Sequence, residues 1–527
     1  MPTFGWVLPY PSRRSPVLAD NVVATSQPLA AQAGLAMLRR GGNAVDAALA
    51  AAITLTVVEP TGNGLGSDAF ALVWDGRTLH GLNASGRSPA GLDPERFLGR
   101  ESMPLWGWDA VTVPGAVSAW TALSQRFGAL EFAALFEPAV AYAAGGFPVS
   151  PLVAAAWAAE ASARRDQPEV TAALLPGGRP PRPGQRFALA DQARTLRAIA
   201  ESHGERFYRG DVAERIAAHA ATSGAALSAE DLDAHRADWV QPLALAYRGV
   251  TVHELPPNSQ GLAALIALGI LQRLPAEHPV DSADALHTRI EATKLALADV
   301  YHHVADPAAM KTTPEALLDG GHLSRRAGTV DPVRAIDPGH GLPHRGGTVY
   351  VAAADAEGTM VSFIQSSFHG FGAGVVVPGT GISLSNRGAG FSTVPGHPNQ
   401  VTPGKRPFHT TMPGFVRVGQ RALCAFGVMG AALQPQGHVQ VLTRVVEHGQ
   451  NPQAAVDAPR WRLEGGLDVA FEPGHDPAVV AELARRGHRV VPARGMGGFG
   501  GAQIVWRLEH GWLGASDPRK DGQAVGF

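Results

Sequence analysis

A single cysteine, Cys424, stands in 527 residues. No internal disulfide can form, and a cysteine-built metal cluster is excluded. Cys424 lies in the apolar run Ala422-Leu423-Cys424-Ala425-Phe426, which marks it as a core thiol. No apolar run approaches the ~18 residues that a membrane-spanning helix needs. Met1-Pro2-Thr3-Phe4-Gly5-Trp6-Val7-Leu8-Pro9 has no basic stretch leading into an apolar one, so the expectation is a cytoplasmic protein. Charge is also scarce: 17% of residues are charged and the net charge is -2, leaving no bulk attraction for nucleic acid or anionic lipid. No Gly-x-Ser-x-Gly elbow occurs in a strand–helix setting, which removes the usual signature of a serine hydrolase. His344, His369 and His409 are scattered, and neither a metal nor a cofactor is expected.

Glycine and proline, by contrast, are plentiful (62 and 41) and interleaved with apolar runs, which implies many tight turns. The length exceeds what one core fills, so two domains or one large layered body is expected. One stretch stands out: His344-Arg345-Gly346-Gly347-Thr348-Val349-Tyr350-Val351-Ala352-Ala353-Ala354. Two glycines lead into a threonine that opens a buried-strand pattern. Asp355-Ala356-Glu357-Gly358 makes the turn, and Thr359 to Ile364 forms the second arm of a hairpin. Threonine is a good nucleophile when its own backbone nitrogen is a free amine that can take the hydroxyl proton. Such an amine titrates near pH 8, well below lysine. Exposing it requires a cut before Thr348. Gly347 suits that cut, because without a Cβ it tolerates the backbone that brings the Thr348 hydroxyl onto the Gly347 carbonyl.

The earlier chain supplies the setting. Val22 to Ser26 reads as a short strand, and Gln27 to Arg40 as a helix stopped by Gly41-Gly42. Asn43 caps a second helix, Ala44 to Val57, apolar on every side and therefore buried. Thr61-Gly62-Asn63-Gly64-Leu65-Gly66-Ser67-Asp68 is a glycine-rich loop before the strand Ala69 to Trp74. No lysine and no helix follow it, so it reads as a tight loop near a site rather than a phosphate cradle.

Several blocks, in order, resemble the γ-glutamyltransferase family. They are Thr25-Ser26-Gln27-Pro28, Gly41-Gly42-Asn43-Ala44-Val45-Asp46-Ala47-Ala48 with the glycine-rich loop, and Val113-Pro114-Gly115-Ala116-Val117. Next come Tyr247-Arg248-Gly249 with Pro256-Pro257-Asn258-Ser259-Gln260-Gly261, then Glu291-Ala292-Thr293-Lys294. Lys405-Arg406-Pro407 and Gly514-Ala515-Ser516-Asp517-Pro518-Arg519 complete the series. The resemblance implies a four-layer αββα N-terminal-nucleophile hydrolase fold, α/β in class. It also implies a precursor that cuts itself before Thr348 into a large chain, 1–347, and a small chain, 348–527, intertwined as one unit.

Further roles follow from the resemblance residue by residue. Ser366 orients the free amine of Thr348, and the backbone amides of Gly430 and Ala431 stabilise an oxyanion. The departures concern the acyl pocket. The family's carboxylate-binding arginine falls at Ser85, with Arg87 two residues on as a substitute. The acid that binds a substrate ammonium falls at Gly390, and its neighbour has become Arg387. An asparagine has become Phe368, and a serine pair has become His409-Thr410. A pocket that loses its acid and gains an arginine suits an anion without an amine. Asn386-Arg387-Gly388-Ala389-Gly390-Phe391, with Met429-Gly430-Ala431-Ala432-Leu433-Gln434-Pro435-Gln436-Gly437-His438, resembles a divergent branch that includes oxamate amidohydrolase. The expected reaction is therefore hydrolysis of a small, anionic acyl amide, with the substrate and the protein's own two chains as partners. A γ-glutamyltransferase, a cephalosporin (glutaryl) acylase and an uncut inactive homologue remain alternatives. Assembly beyond one pair of chains, such as a dimer of pairs, is left open.

Overall fold

Pro28–Arg39 and Ala44–Val58 are the first two helices, and each is started by a side chain. The Gln27 amide oxygen accepts from the Leu29 and Ala30 N–H groups, and Asn43 forms a reciprocal capping box with Asp46. Every residue of Ala44–Val58 is buried, as its unbroken apolar composition requires. The computed structural model describes residues 14–164, 166–339, 347–493 and 496–527. His344, Arg345 and Gly346 of the Gly-Gly-Thr stretch lie outside the described residues.

Two seven-stranded antiparallel sheets lie face to face. One runs Gln523–Gly526, Val22–Thr25, Gly347–Ala354, Met360–Phe368, Asp68–Trp74, Leu79–Asn83, Asp238–Val240. The other runs Val17–Ala19, Trp512–Ser516, Gly501–Arg507, Arg421–Met429, Gly414–Val418, Val250–Glu254, Leu243–Tyr247. Between them lies a core that includes Phe70, Leu72, Tyr350 and Ile364 from the first sheet and Phe415, Met429 and Val505 from the second. The outer face of the first sheet packs on the helices that follow Val22–Thr25. The outer face of the second packs on Leu262–Leu271, Ala283–His303 and Leu433–Val446. The result is the αββα sandwich that the resemblance implied, and it explains why both strands of the hairpin are buried from Thr348 onward rather than alternating.

The hairpin pairs Ala354 with Met360 and Val351 with Phe363. Its second strand runs to Phe368, four residues beyond the apolar pattern, because Gln365, Ser366 and Ser367 are also buried. The turn is tied to the helical layer: Asp355 accepts from Thr359 N–H at 2.9 Å and from Ala44 N–H at 2.8 Å, at the start of a helix. Cys424 is buried and free. Among the described residues no helix is long and apolar enough to cross a membrane.

Candidate active site

The register of the hairpin slips between Gly347 and Val349. Gly347 pairs with Phe368 and Val349 with Gln365, so the second strand carries one extra residue and Thr348 stands opposite the Ser366-Ser367 bulge. Its hydroxyl lies 3.2 Å from Ser366 Oγ. Ser366 receives the Thr348 hydroxyl, the Phe368 N–H at 2.9 Å and Arg387 Nη2 at 3.3 Å. Its one proton goes to the Gly347 carbonyl oxygen at 2.7 Å. Gly347 and Thr348 are therefore both held by the hydroxyl of the bulged Ser366.

Arg387 opens a short 3-10 turn, Arg387–Gly390, and is fully buried. Its Nη1 donates to Thr410 Oγ1 at 2.9 Å, and its guanidinium lies 4.2 Å from the Phe368 ring centre. Nε has no hydrogen-bond partner among the described residues. The opposing charge is Asp68, with Oδ2 3.9 Å from that Nε. Burial lowers the Arg387 guanidinium to about 9, and Asp68 opposes the shift. Burial lifts the Asp68 carboxyl to about 6 against Arg387, the Gly86 N–H and Arg406. His409 completes the cluster. Its Nδ1 accepts the Thr411 N–H at 3.2 Å, so Nε2 carries the proton and donates to Asp68 Oδ2 at 3.1 Å. Burial drives the imidazole well below its ordinary value, which keeps it neutral.

Thr348, Ser366, Phe368, Arg387 and Thr410 thus come together, with His409 one layer behind, on Asp68. Gly390 is different. A Cβ there would lie 2.7 Å from the Phe408 carbonyl oxygen, so this backbone has no room for an acid at that position. Arg87 is outside the cluster. It pairs with Asp306 at 3.0 Å and the Gly404 carbonyl at 3.2 Å, and its side chain is 47% exposed. Ser85, at the family arginine's place, is buried and donates to Asn83 Oδ1 at 2.8 Å.

The Gly430-Ala431 turn joins strand Arg421–Met429 to helix Leu433–Val446. Ala431 has φ +52°, a left-handed conformation that costs an alanine about 1 kcal/mol or more. Three contacts hold it there. Gln260 Nε2 donates to the Ala431 carbonyl at 2.9 Å. Gly437 lets the helix press on the strand, since a Cβ there would meet Val428 Cγ1 at 2.5 Å. His438 Nε2 accepts the Val428 N–H at 3.2 Å, which leaves Nδ1–H to donate to Glu254 at 2.7 Å. Burial keeps His438 neutral, down to about 3, and raises Glu254.

On its other side Thr348 borders a cavity of about 500 Å³. Gly62, Gly347, Glu59, Glu160, Lys520 and Asp521 are among its lining residues. A separate group, His287, Glu291 and His488, brings three ligand atoms within 4.8 Å of one another. Lys294 Nζ already lies 2.5 Å from the Glu291 carboxylate, so a cation there would have to displace an ammonium.

The gamma-glutamyltranspeptidase family model matches residues 30–527. The chain belongs to the gamma-glutamyltranspeptidase family. Within it, the oxamate amidohydrolase proenzyme of Klebsiella pneumoniae is 37% identical over 97% of this chain and 99% of its own length. The glutathione hydrolase-like YwrD proenzyme of Bacillus subtilis is 36% identical over 98% of this chain and all of its own. The crystal structure of cephalosporin acylase from Bacillus halodurans superposes with a TM-score of 0.96 at 45% identity, over 100% of this chain and 99% of that one. The transpeptidase-family reading thus covers fold and chain length together.

Sequence reasoning missed Asp68, Gln260 and the Glu254–His438 pair. A charged residue opening the wholly apolar strand after the glycine-rich loop was the signal for Asp68. His438 stood in the Gln434-Pro435-Gln436-Gly437-His438 text, legible only as a mark of the branch.

Proposed function

We propose that this member of the family is a self-processing amidohydrolase whose nucleophile is Thr348, and that it acts on a small acyl amide bearing a negative charge. The observation that carries the reading is the shared hydroxyl of Ser366, bonded to both the Thr348 hydroxyl and the carbonyl of the Gly347–Thr348 bond.

In the first stage Thr348 Oγ1 attacks the Gly347 carbonyl carbon, the C–N bond breaks, and water hydrolyses the resulting ester. The large chain then ends at Gly347 and the small chain begins at Thr348. Both stay together because small-chain strands pair with large-chain strands inside one sheet, Val351–Ala354 with Val22–Thr25 and Met360–Ser366 with Asp68–Trp74. In the second stage the freed amine takes the proton of its own hydroxyl, with Ser366 orienting it. The alkoxide attacks the substrate amide, and the Gly430 and Ala431 amides receive the developing oxyanion. The amine leaves, and water resolves the acyl-enzyme.

The acyl group is argued from Arg387. Its Nη2 and Thr348 Oγ1 both contact Ser366 Oγ, at 3.3 and 3.2 Å, so the two are at most about 6.5 Å apart. A carboxylate one C–C bond (~1.5 Å) from the reacting carbon meets that guanidinium without folding back. The missing acid at Gly390 removes the partner of a substrate ammonium. Oxamate fits these requirements, and the Klebsiella relative is named for that reaction. The 45% identical cephalosporin acylase supports a second reading, a glutaryl amide with a bulky leaving amine.

The test is intact mass and N-terminal sequencing of the purified protein, followed by assay with oxamate, a γ-glutamyl anilide and glutaryl amides. A small chain beginning Thr348-Val349-Tyr350 and turnover of oxamate are expected. An uncut chain removes the general base. Anilide turnover at a true transferase's rate replaces the acyl assignment.

A further inference from the structure

Residues 256–261 lead into the helix Leu262–Leu271 and run beside the segment that carries His409 and Thr410. The Gln260 N–H donates to the His409 carbonyl and the His409 N–H to the Asn258 carbonyl, each at 2.9 Å. Ser259 Oγ donates to the Thr411 carbonyl at 2.8 Å. Loop and segment are thus stitched together by main-chain and side-chain bonds.

The Gln260 side chain is fully buried and reaches further. Its Nε2 donates to two carbonyl oxygens, those of Thr410 and Ala431. Both neighbours are acceptors only, so the NH2 end must face them, and its two hydrogens are both used. Its Oε1 has no hydrogen-bond partner among the described residues, so the donor end alone anchors the amide. One nitrogen therefore ties the Arg387 pocket to the Gly430-Ala431 turn. On the pocket side, Thr410 Oγ1 receives Arg387 Nη1 at 2.9 Å. On the turn side, Ala431 stands at φ +52°, which an alanine rarely adopts. Holding its carbonyl resists relaxation to negative φ, which would rotate the Gly430–Ala431 peptide and its N–H. The carbonyl attacked in the first stage, that of Gly347, is served differently: Ser366 Oγ donates to it at 2.7 Å.

We propose that Gln260 is a positioning residue for the second stage, locking the Gly430-Ala431 turn to the Thr410 side of the acyl pocket, and that self-cleavage does not need it. The proposal rests on the reading of Thr348 as nucleophile and of this turn as the oxyanion site. Gln260 makes no bond to substrate and acts through Ala431. Its loss therefore appears in kcat of the cut enzyme, because the oxyanion develops only after substrate is bound.

The experiment follows two rates in the full chain. One is self-cleavage, read from the small chain beginning Thr348. The other is turnover of oxamate, a γ-glutamyl anilide and a glutaryl anilide by the cut protein. Gln260→Met keeps the length of the side chain and loses both donors. It should cut itself at the wild-type rate, which also shows that it folds. For whichever amide the wild type processes, kcat should fall about 10–10²-fold with KM within about twofold, less than loss of an oxyanion donor itself. Adding Ala431→Gly should return most of the lost kcat, because glycine takes positive φ without support. Where Gln260→Met yields no folded protein, Gln260→Glu, equal in size and without the NH2 pair, takes its place. Self-cleavage slowed in step with turnover, a loss confined to KM, or no recovery with Ala431→Gly overturns the positioning role while leaving Thr348 in place. A wild-type chain that stays uncut overturns the nucleophile and Gln260 together. One that is cut but processes none of the three amides overturns the second stage, and Gln260 with it.

Discussion

The two sides of Thr348 are built on opposite plans. On the Arg387 side the charged and polar groups are fully buried and hold one another: Arg387 on Thr410 and Ser366, Asp68 on His409 and Gly86. On the Glu59 side there is an open cavity with two charges that no ion pair cancels. A dry, pre-paired region discriminates strongly, because a wrong ligand leaves buried charge uncompensated. A roomy, open region tolerates variety. With Thr348 as the proposed nucleophile, such an enzyme is expected to be strict about the acyl half of its substrate and permissive about the amine half.

Removing the centre that both sides share has the largest effect. Thr348→Ala should give a single chain of 54.9 kDa on a gel and a loss of turnover of at least about 10³-fold. A variant that still splits would place the cut elsewhere. Next comes the closed side. Arg387→Met leaves Asp68 buried without its partner and should cost about 3–5 kcal/mol in a urea melt, as for a broken buried pair. Adding Asp68→Asn should return most of that stability while the preference for an anionic acyl group stays lost. If the double variant keeps the preference, Arg387 is not its source.

A smaller effect is expected one step removed from the chemistry. His438→Phe removes the acceptor of the Val428 N–H and loosens the Gly430-Ala431 turn. It should lower kcat about 10–10²-fold with little change in KM, less than outright loss of an oxyanion donor. A change confined to KM would assign the turn to substrate binding instead. The smallest effect is a pH response. Asp68, raised to about 6, faces Arg387, Arg406 and a neutral His409. Above that pH its carboxylate competes with an anionic substrate for Arg387. KM for such a substrate should therefore fall a few-fold, on the order of half a kcal/mol, as pH drops through the Asp68 value, and Asp68→Asn should flatten the curve. The stability sign runs the same way. A carboxyl raised above its ordinary 3.8 penalises folding above about 6, and the penalty is relieved as pH falls through that window.

Much of the fold was legible because its signals are local. The all-apolar Ala44–Val58, the Asn43 cap, and the two β-runs around Asp355-Ala356-Glu357-Gly358 each announce an element within a dozen residues. The hairpin boundary was read short at Ile364, because polar Gln365, Ser366 and Ser367 interrupt the apolar pattern while still being buried. Of the pocket positions, Arg387 and Phe368 sit on Ser366, and Thr410 on Arg387. Arg87 sits apart because Asp306, 219 positions away, holds it.

By itself, the sequence determined the first helices, the hairpin and the threonine that opens it, since strand and helix periods and turn residues are short-range properties; the αββα frame was implied by the resemblance of its blocks to the family. Only the tertiary structure decided what surrounds that threonine. Asp68 meets His409 across 341 positions, and Glu254 meets His438 across 184. Lys520 and Glu59 come to one cavity from opposite ends of the chain. Such pairs have no period and no motif, and they arise where two packed sheets bring distant strands and turns within a few ångströms.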